Sequence, residues 1–173
     1  YHENVARYGY ALALTESGDL DRARIELVKL MADYPSVMSF RIAAGQLEKT
    51  ARDFGRSLDH FEIAFRSAPE NRAAVYSYIN ALLLVGRAGE AKTLLRNYGL
   101  SDRRDPKFYK LLAEVENSLG EIANSHHSLA EYYMSLGEFP HAAEQLRLAR
   151  GTRGLSNYQR QKIVARLEEV EET

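Results

Sequence analysis

Apolar residues recur along this chain at the spacing of an amphipathic helix. One stripe consists of Ala23, Leu27, Leu30 and Met31, which stand at i, i+4, i+7 and i+8. Similar stripes, separated by turn signals, continue to the end of the chain. They predict ten helices, near residues 3–16, 20–33, 37–50, 54–66, 72–85, 88–98, 106–118, 121–135, 139–150 and 156–171.

The turns between these stripes follow a period of 34 residues. Gly18, Gly86 and Gly120 lie on this period, and Arg52 occupies the position that lacks a glycine. Glycine suits the left-handed backbone at a helix end. Five positions after each turn stands a small residue: Ala23, Ser57, Ala91 and Ser125. Nine positions after each turn stands a large apolar residue: Leu27, Phe61, Leu95 and Leu129. Small residues permit close helix crossings, so this period is typical of stacked helical hairpins.

The register changes near the end of the chain, where Gly137 follows Gly120 after only 17 residues. The helix at 121–136 therefore ends one hairpin and opens the next. We expect an all-α, right-handed α-solenoid that forms a single array over residues 1–173. Its repeats are predicted near 4–37, 38–71, 72–105, 106–137 and 123–154, followed by a capping helix at 156–171 that packs through Ile163, Leu167 and Val170.

The period, the small and large positions and the closing Pro35 and Pro69 resemble the tetratricopeptide repeat (TPR). A narrower resemblance comes from a motif near the end of the chain. Its residues are Leu129, Ala130, Glu131, Tyr132, Tyr133, Gly137, Ala142, Gln145, Leu146 and Ala149. This motif is similar to the end of the C-terminal TPR domain of BepA-type periplasmic zinc metallopeptidases.

That resemblance implies the non-catalytic half of a periplasmic peptidase, which binds substrate, its own peptidase domain or outer-membrane assembly proteins in protein quality control. Zinc is then expected only in the peptidase domain, at an HExxH motif, and no HExxH occurs in this sequence. The chain begins with Tyr1 and no signal segment precedes it, so we expect an excised domain or a processed chain. The alternative is a free-standing TPR scaffold that binds an extended peptide.

Composition narrows the function further. The 173 residues include 23 Lys and Arg against 24 Asp and Glu, and no cysteine. Balanced charge argues against a nucleic-acid-binding arm, and no apolar run is long enough for membrane insertion. The lack of cysteine excludes disulfides and thiol catalysis within these residues.

Candidate chemistry within the chain is sparse. His127 and Glu131 lie one helical turn apart, and His141 follows on the next helix, so a metal site is conceivable on these three residues. Surface or hairpin-packing histidines are the favoured interpretation, with Glu131 contacting the last hairpin or a partner domain. No phosphate-binding loop or nucleophile arrangement is present, so we assign no catalytic, metal or cofactor residue in this chain.

The first helix of each hairpin lines the concave groove of a TPR superhelix. The repeat register of the family, applied to this sequence, predicts which residues bind a partner. They are Tyr8, Leu12, Ile42, Gln46, Lys49, Tyr76, Asn80, Leu83, Lys110, Glu114 and Asn117. Glu16 falls in the same groove of the first repeat. Amide side chains suit recognition of a peptide backbone, and tyrosines add flat contact area. A Lys and Asn clamp for a C-terminal carboxylate is absent, which disfavours a chaperone-tail adaptor.

Two other features have structural interpretations. Tyr10, Tyr78 and Tyr132 fall on stripes that predict core packing. The acidic end at 167–172 places negative charge at a helix C-terminus, where it is unfavourable, so we expect a fraying, solvated tail.

Overall fold

The computed structural model describes residues 2–98 and 105–172, which form ten α-helices and no strand. The helices are α1 (His2–Ser17), α2 (Leu20–Asp33), α3 (Met38–Thr50), α4 (Phe54–Ser67), α5 (Arg72–Leu84), α6 (Ala88–Tyr98), α7 (Pro106–Ser118), α8 (Ile122–Ser135), α9 (Phe139–Gly151) and α10 (Asn157–Glu171). Every predicted helix is found, and each end differs from its prediction by at most one residue. The all-α fold class is confirmed.

The chain forms two compact units, an N-terminal unit (Tyr1–Gly86) and a C-terminal unit (Arg87–Thr173). In the N-terminal unit each helix from α1 to α5 packs against the next along the chain. The first helices of the hairpins also lie side by side, because α1 contacts α3 and α3 contacts α5. Its main core cluster spans α1, α2 and α3 and consists of Ala11, Leu14, Ala23, Leu27, Leu30, Phe40, Ala43, Ala44 and Leu47.

The C-terminal unit contains α6 to α10, in which α7 packs on α6 and α8, and α9 packs on α8 and α10. One core cluster joins α8, α9 and α10 and consists of Ala130, Ala142, Ala143, Leu146, Ala149, Ile163, Leu167 and Val170. The last three residues come from α10, and each is 4% exposed. The final helix thus covers the apolar face of α9.

The hairpin turns use the left-handed backbone that the period predicts. Gly120 has φ of 75°, and Arg52, at the position without glycine, adopts the same region with φ of 60°. A side chain with a Cβ is unfavourable there. Gly154, which lies 34 residues after Gly120, also has a positive φ of 79° and separates α9 from α10. The period therefore extends one repeat further than the sequence analysis recognised.

The small positions after these turns lie where two helices of a hairpin cross. Ala23 and Ala91 are fully buried, as is Ser57, and Ser125 is 7% exposed. Ser57 Oγ donates to the Gly45 carbonyl at 2.9 Å, and Ser125 Oγ donates to the carbonyl twelve residues before it at 2.8 Å. The hydroxyl groups thus add a hydrogen bond between the paired helices where alanine would give only contact.

The prediction for Tyr10 is wrong. Its side chain is 45% exposed, its hydroxyl accepts a hydrogen bond from Arg22, and the Arg22 guanidinium lies 5.7 Å from its ring centroid. The spacing alone does not separate a buried stripe from a surface that a long cation covers. Tyr78 is buried, as predicted, whereas Tyr132 is half-buried.

The acidic end is not a fraying tail. Helix α10 continues to Glu171, and Leu167 and Val170 are buried within its last turns. Glu171 forms an ion pair with Arg147 of α9, so a cation neutralises charge that the helix dipole disfavours. Apolar packing on one face and ion pairing on another hold this segment in helical form.

Candidate protein-binding surfaces

The predicted groove residues of the N-terminal unit lie on three adjacent helices. We call them the first-helix surface: Tyr8 and Leu12 of α1, Ile42, Gln46 and Lys49 of α3, and Tyr76, Asn80 and Leu83 of α5. Every one of these side chains is exposed or half-buried. Because α3 contacts both α1 and α5, the three rows form neighbouring strips of one surface.

Contacts within the unit restrain part of this surface. The Tyr8 ring packs 5.1 Å from the ring centroid of Phe40, and burial raises the pKa of Tyr8. Asn80 donates one amide hydrogen to the Tyr76 carbonyl at 2.9 Å, which leaves its carbonyl oxygen directed away from that bond. Gln46 is exposed on the central helix. The surface therefore combines a restrained aromatic ring with amide groups that can meet a peptide backbone.

The remaining predicted groove residues, Lys110, Glu114 and Asn117, belong to the C-terminal unit. They stand at i, i+4 and i+7 on one face of α7, and all three are exposed. Glu16, on α1 of the N-terminal unit, is exposed as well. The structure thus places each predicted groove residue at a surface of its own unit.

The motif near the end of the chain has a packing role in this structure. Ala130, Ala142, Leu146 and Ala149 are fully buried, and Tyr133 packs against the cluster they form. The other members of the motif lie around this core: Leu129 and Tyr132 are half-buried, and Gly137 forms the turn before α9 with φ of 75°. The motif therefore sets the interface between α8 and α9.

Two polar pairs extend from the same motif. Gln145 Oε1 lies 2.8 Å from His126 Nδ1 and links α9 to α8. Glu131 accepts two hydrogen bonds of 2.8 Å from the Arg166 guanidinium, which joins α8 to α10 and raises the pKa of Arg166. Sequence analysis did not single out Arg166. It lies 35 residues after Glu131, close to one period, which places the two side chains on the second helices of successive hairpins.

Two of the three residues considered for a metal site contact other side chains. Glu131 is held by Arg166, and His141 Nδ1 lies 3.1 Å from a carboxylate oxygen of Glu138. His127 is half-buried, and burial lowers its pKa. Among residues 2–98 and 105–172 no group of three or more His, Asp or Glu side chains is placed to hold a metal ion.

A cleft opens in the C-terminal unit between α6, α8 and α10, with α7 contributing to its floor. Its volume is about 840 Å³, and side chains of Phe108, Leu112, Glu116 and His127 line it. Glu116 is 7% exposed and its Oε2 accepts a 2.6 Å hydrogen bond from Ser128. Burial raises the pKa of Glu116. Sequence analysis did not predict this cleft, because its walls come from second helices that spacing identifies only as amphipathic.

Sequence profiles of the tetratricopeptide repeat match residues 4–24 and 41–115. The chain belongs to the tetratricopeptide repeat family. This TPR chain is also 25% identical over 168 residues to the beta-barrel assembly-enhancing protease of Escherichia coli K12 and to that of Shigella flexneri. The alignment covers 97% of this chain and 34% of each relative, so the chain spans about a third of their length.

Solved TPR structures share this fold. A crystal structure of MamA has a TM-score of 0.71 and 17% identity, with coverage of 99% of this chain and 94% of MamA. The structure of MamA from residue 41 to its end, from Desulfovibrio magneticus RS-1, has a TM-score of 0.69 and 12% identity. It covers 99% of this chain and 97% of the MamA chain. YrrB, described as a TPR protein with an unusual peptide-binding site, has a TM-score of 0.56 and 16% identity. The match covers 92% of this chain and 90% of the YrrB chain.

Membership of the TPR family establishes the functional class, because these repeats present extended surfaces for proteins and peptides rather than catalytic groups. None of the described helices is both long and apolar enough to cross a membrane. The predictions of a TPR fold and of protein binding are confirmed at this level. The identity of the groove residues stays a prediction.

Proposed function

We propose that this chain is the TPR half of a periplasmic zinc metallopeptidase and binds substrate or outer-membrane assembly partners in protein quality control. The observation that carries this proposal is the similarity to the beta-barrel assembly-enhancing protease, which runs along 97% of the chain. It includes the motif whose packing joins α8 and α9. The zinc site and the hydrolytic step would belong to a peptidase domain outside these residues.

Binding would occur on the first-helix surface. Gln46 lies on the central helix of that surface and Asn80 on a neighbouring one, so their amides can contact successive peptide groups of an extended segment. Tyr8 and Tyr76 supply flat apolar area with little loss of side-chain entropy. Such a surface holds a segment through its backbone, and it suits clients with varied side chains.

The natural full-length protein tests the peptidase assignment. We expect an HExxH motif N-terminal to Tyr1, stoichiometric zinc, and proteolysis of an unfolded outer-membrane β-barrel protein that is lost when the motif Glu is replaced by Gln. The expected sorting is to the periplasm, measured by cell fractionation. A full-length protein without HExxH would reject the assignment to a peptidase.

A double substitution tests the binding surface separately. Gln46→Ala with Asn80→Ala removes two exposed amides and should weaken capture of a denatured β-barrel protein about tenfold, measured by surface plasmon resonance. Gln161→Ala, also exposed but on α10, is the matched control. The thermal transition should stay nearly unchanged in both variants. Unchanged capture by the double variant would reject these groove assignments.

The alternative is a free-standing TPR adaptor for an extended peptide. It is supported by the fold similarity to MamA and YrrB, which extends over nearly all of this chain. Both functions use the same first-helix surface and differ in what precedes Tyr1. Loss of peptide capture in the double variant, together with a full-length protein that lacks HExxH, would favour the adaptor.

A further inference from the structure

The cleft of the C-terminal unit contains cations that the unit's own ion pairs leave unmatched. Lys92 pairs with Glu121, and Arg166 pairs with Glu131. Arg96 of α6 and Lys162 of α10 also line the cleft. Within residues 2–98 and 105–172, neither of these two side chains forms an ion pair. Two positive groups on opposite walls are therefore available to a ligand.

The floor of the cleft is apolar at one end and acidic at the other. Phe108 is 7% exposed, and it lies beside Leu112 along α7. Glu116 is the buried carboxyl, and its contacts include the Ser128 hydroxyl, with Lys92, Lys162 and Glu121 nearby. Since burial favours the protonated form of Glu116, this carboxyl opposes an anionic ligand less than its formal charge implies.

We propose that this cleft binds an acidic peptide segment of a partner protein, with carboxylates held by Arg96 on one wall and Lys162 on the other and a neighbouring apolar side chain on Phe108 and Leu112. Arg and Lys form charge-assisted hydrogen bonds with carboxylates. A volume of about 840 Å³ accommodates several side chains, whereas a single small anion would leave most of it filled with water.

This site goes beyond the proposed function, because that function uses the first-helix surface of the N-terminal unit, whereas the cleft lies in the C-terminal unit. Leu112 and Glu116 line the cleft from α7, whereas the predicted groove residues Lys110 and Glu114 stand two positions before or after them. Asn117 follows Glu116 directly, a difference of about 100° in direction on a helix. Positions two apart on a helix differ by about 200° in direction. The cleft therefore lies on another side of α7 than the predicted groove residues of its own unit, and it shares no residue with the first-helix surface.

Fluorescence anisotropy with two labelled peptides tests the proposal on the full chain. The probe is Gly-Ser-Leu-Asp-Leu-Glu-Ser-Gly, and its matched neutral form replaces Asp by Asn and Glu by Gln. We expect the acidic peptide to bind at least about tenfold more tightly, with an affinity that falls as salt rises. Equal affinity for the two peptides, or no binding of the acidic one at millimolar concentration, would overturn the proposal.

Variants locate the binding on the molecule. Lys162→Gln and Arg96→Gln should each weaken the acidic peptide about three- to tenfold, whereas Lys162→Arg should retain most of the affinity. Gln161→Ala, adjacent on α10 but outside the cleft, should have no effect, and circular dichroism checks that each variant is folded. If Gln46→Ala with Asn80→Ala abolishes binding while Lys162→Gln does not, the peptide occupies the first-helix surface and the proposal is wrong.

Discussion

Two helical glycines of the N-terminal unit offer a direct test of how tightly the hairpins pack. Gly45 lies within α3, where an added Cβ would stand 2.7, 2.8 and 2.9 Å from three ring carbons of Phe61 on α4. Gly9 lies within α1, and no atom would come within 4 Å of its added Cβ. Both alanine substitutions therefore gain helix propensity, but only the one at Gly45 creates a close contact with Phe61.

Replacing glycine by alanine inside a helix stabilises it by about 1 kcal/mol. Gly9→Ala should show this gain. At Gly45 the Phe61 ring, which is 2% exposed, would have to move by several tenths of an ångström within a closed core. Overpacking of this kind costs about 1–3 kcal/mol. Because the propensity gain cancels between the two variants, Gly45→Ala should be less stable than Gly9→Ala by about 1–3 kcal/mol.

Urea unfolding followed by circular dichroism at 222 nm measures both free energies of unfolding. A third variant, Phe61→Leu, removes the ring, and Gly45→Ala should cost less in that background than in the natural chain. An unfolding midpoint that rises as much for Gly45→Ala as for Gly9→Ala would refute the close crossing of α3 and α4.

Three further predictions concern single positions. Arg52→Gly should stabilise the chain by about 1 kcal/mol, because φ of 60° favours glycine; a lower melting temperature would contradict this. Glu116→Gln should stabilise the chain at pH 7.5 but not at pH 4. Burial raises the pKa of Glu116 in the folded state above its unfolded value, so the folded state binds this proton more tightly. The wild-type free energy of unfolding therefore falls as pH rises above the unfolded pKa, and the neutral Gln avoids this loss. A stabilisation by Gln that persists at pH 4 would argue against burial of the charge as the cause. Arg166→Met should lower the free energy of unfolding by about 1–3 kcal/mol, because it leaves the Glu131 carboxylate unpaired. Adding Glu131→Gln to this variant should recover part of the lost stability, which a double-mutant cycle measures.

Much of the fold follows from the sequence, because each repeat places a small residue, a large residue and a turn at fixed positions. Ser57 illustrates the basis of this success, since any small side chain at the crossing preserves the period. Arg52 shows that the turn geometry persists even where the preferred residue is missing. Gly154 was predictable from the same period, and only the intervening change of register at Gly137 concealed it.

The interactions between hairpins were harder to predict. The pairing of Glu131 with Arg166 depends on how two second helices are placed, which the spacing within either helix does not specify. The cleft near Glu116 depends on the same placement. Tyr10 was misassigned because a surface aromatic covered by Arg22 has the same spacing as a buried one. The first-helix surface comes from the family's repeat register, and its role in binding is a prediction.

Hydrogen–deuterium exchange with mass spectrometry, with and without a denatured outer-membrane β-barrel protein, tests the central proposal most directly. An extended client on the first-helix surface should slow exchange in α1, α3 and α5 of the N-terminal unit. The Gln46→Ala and Asn80→Ala double variant should lose this protection, and Gln161→Ala should retain it. Protection confined to α2 and α4, or no protection at saturating client, would contradict the proposed binding surface.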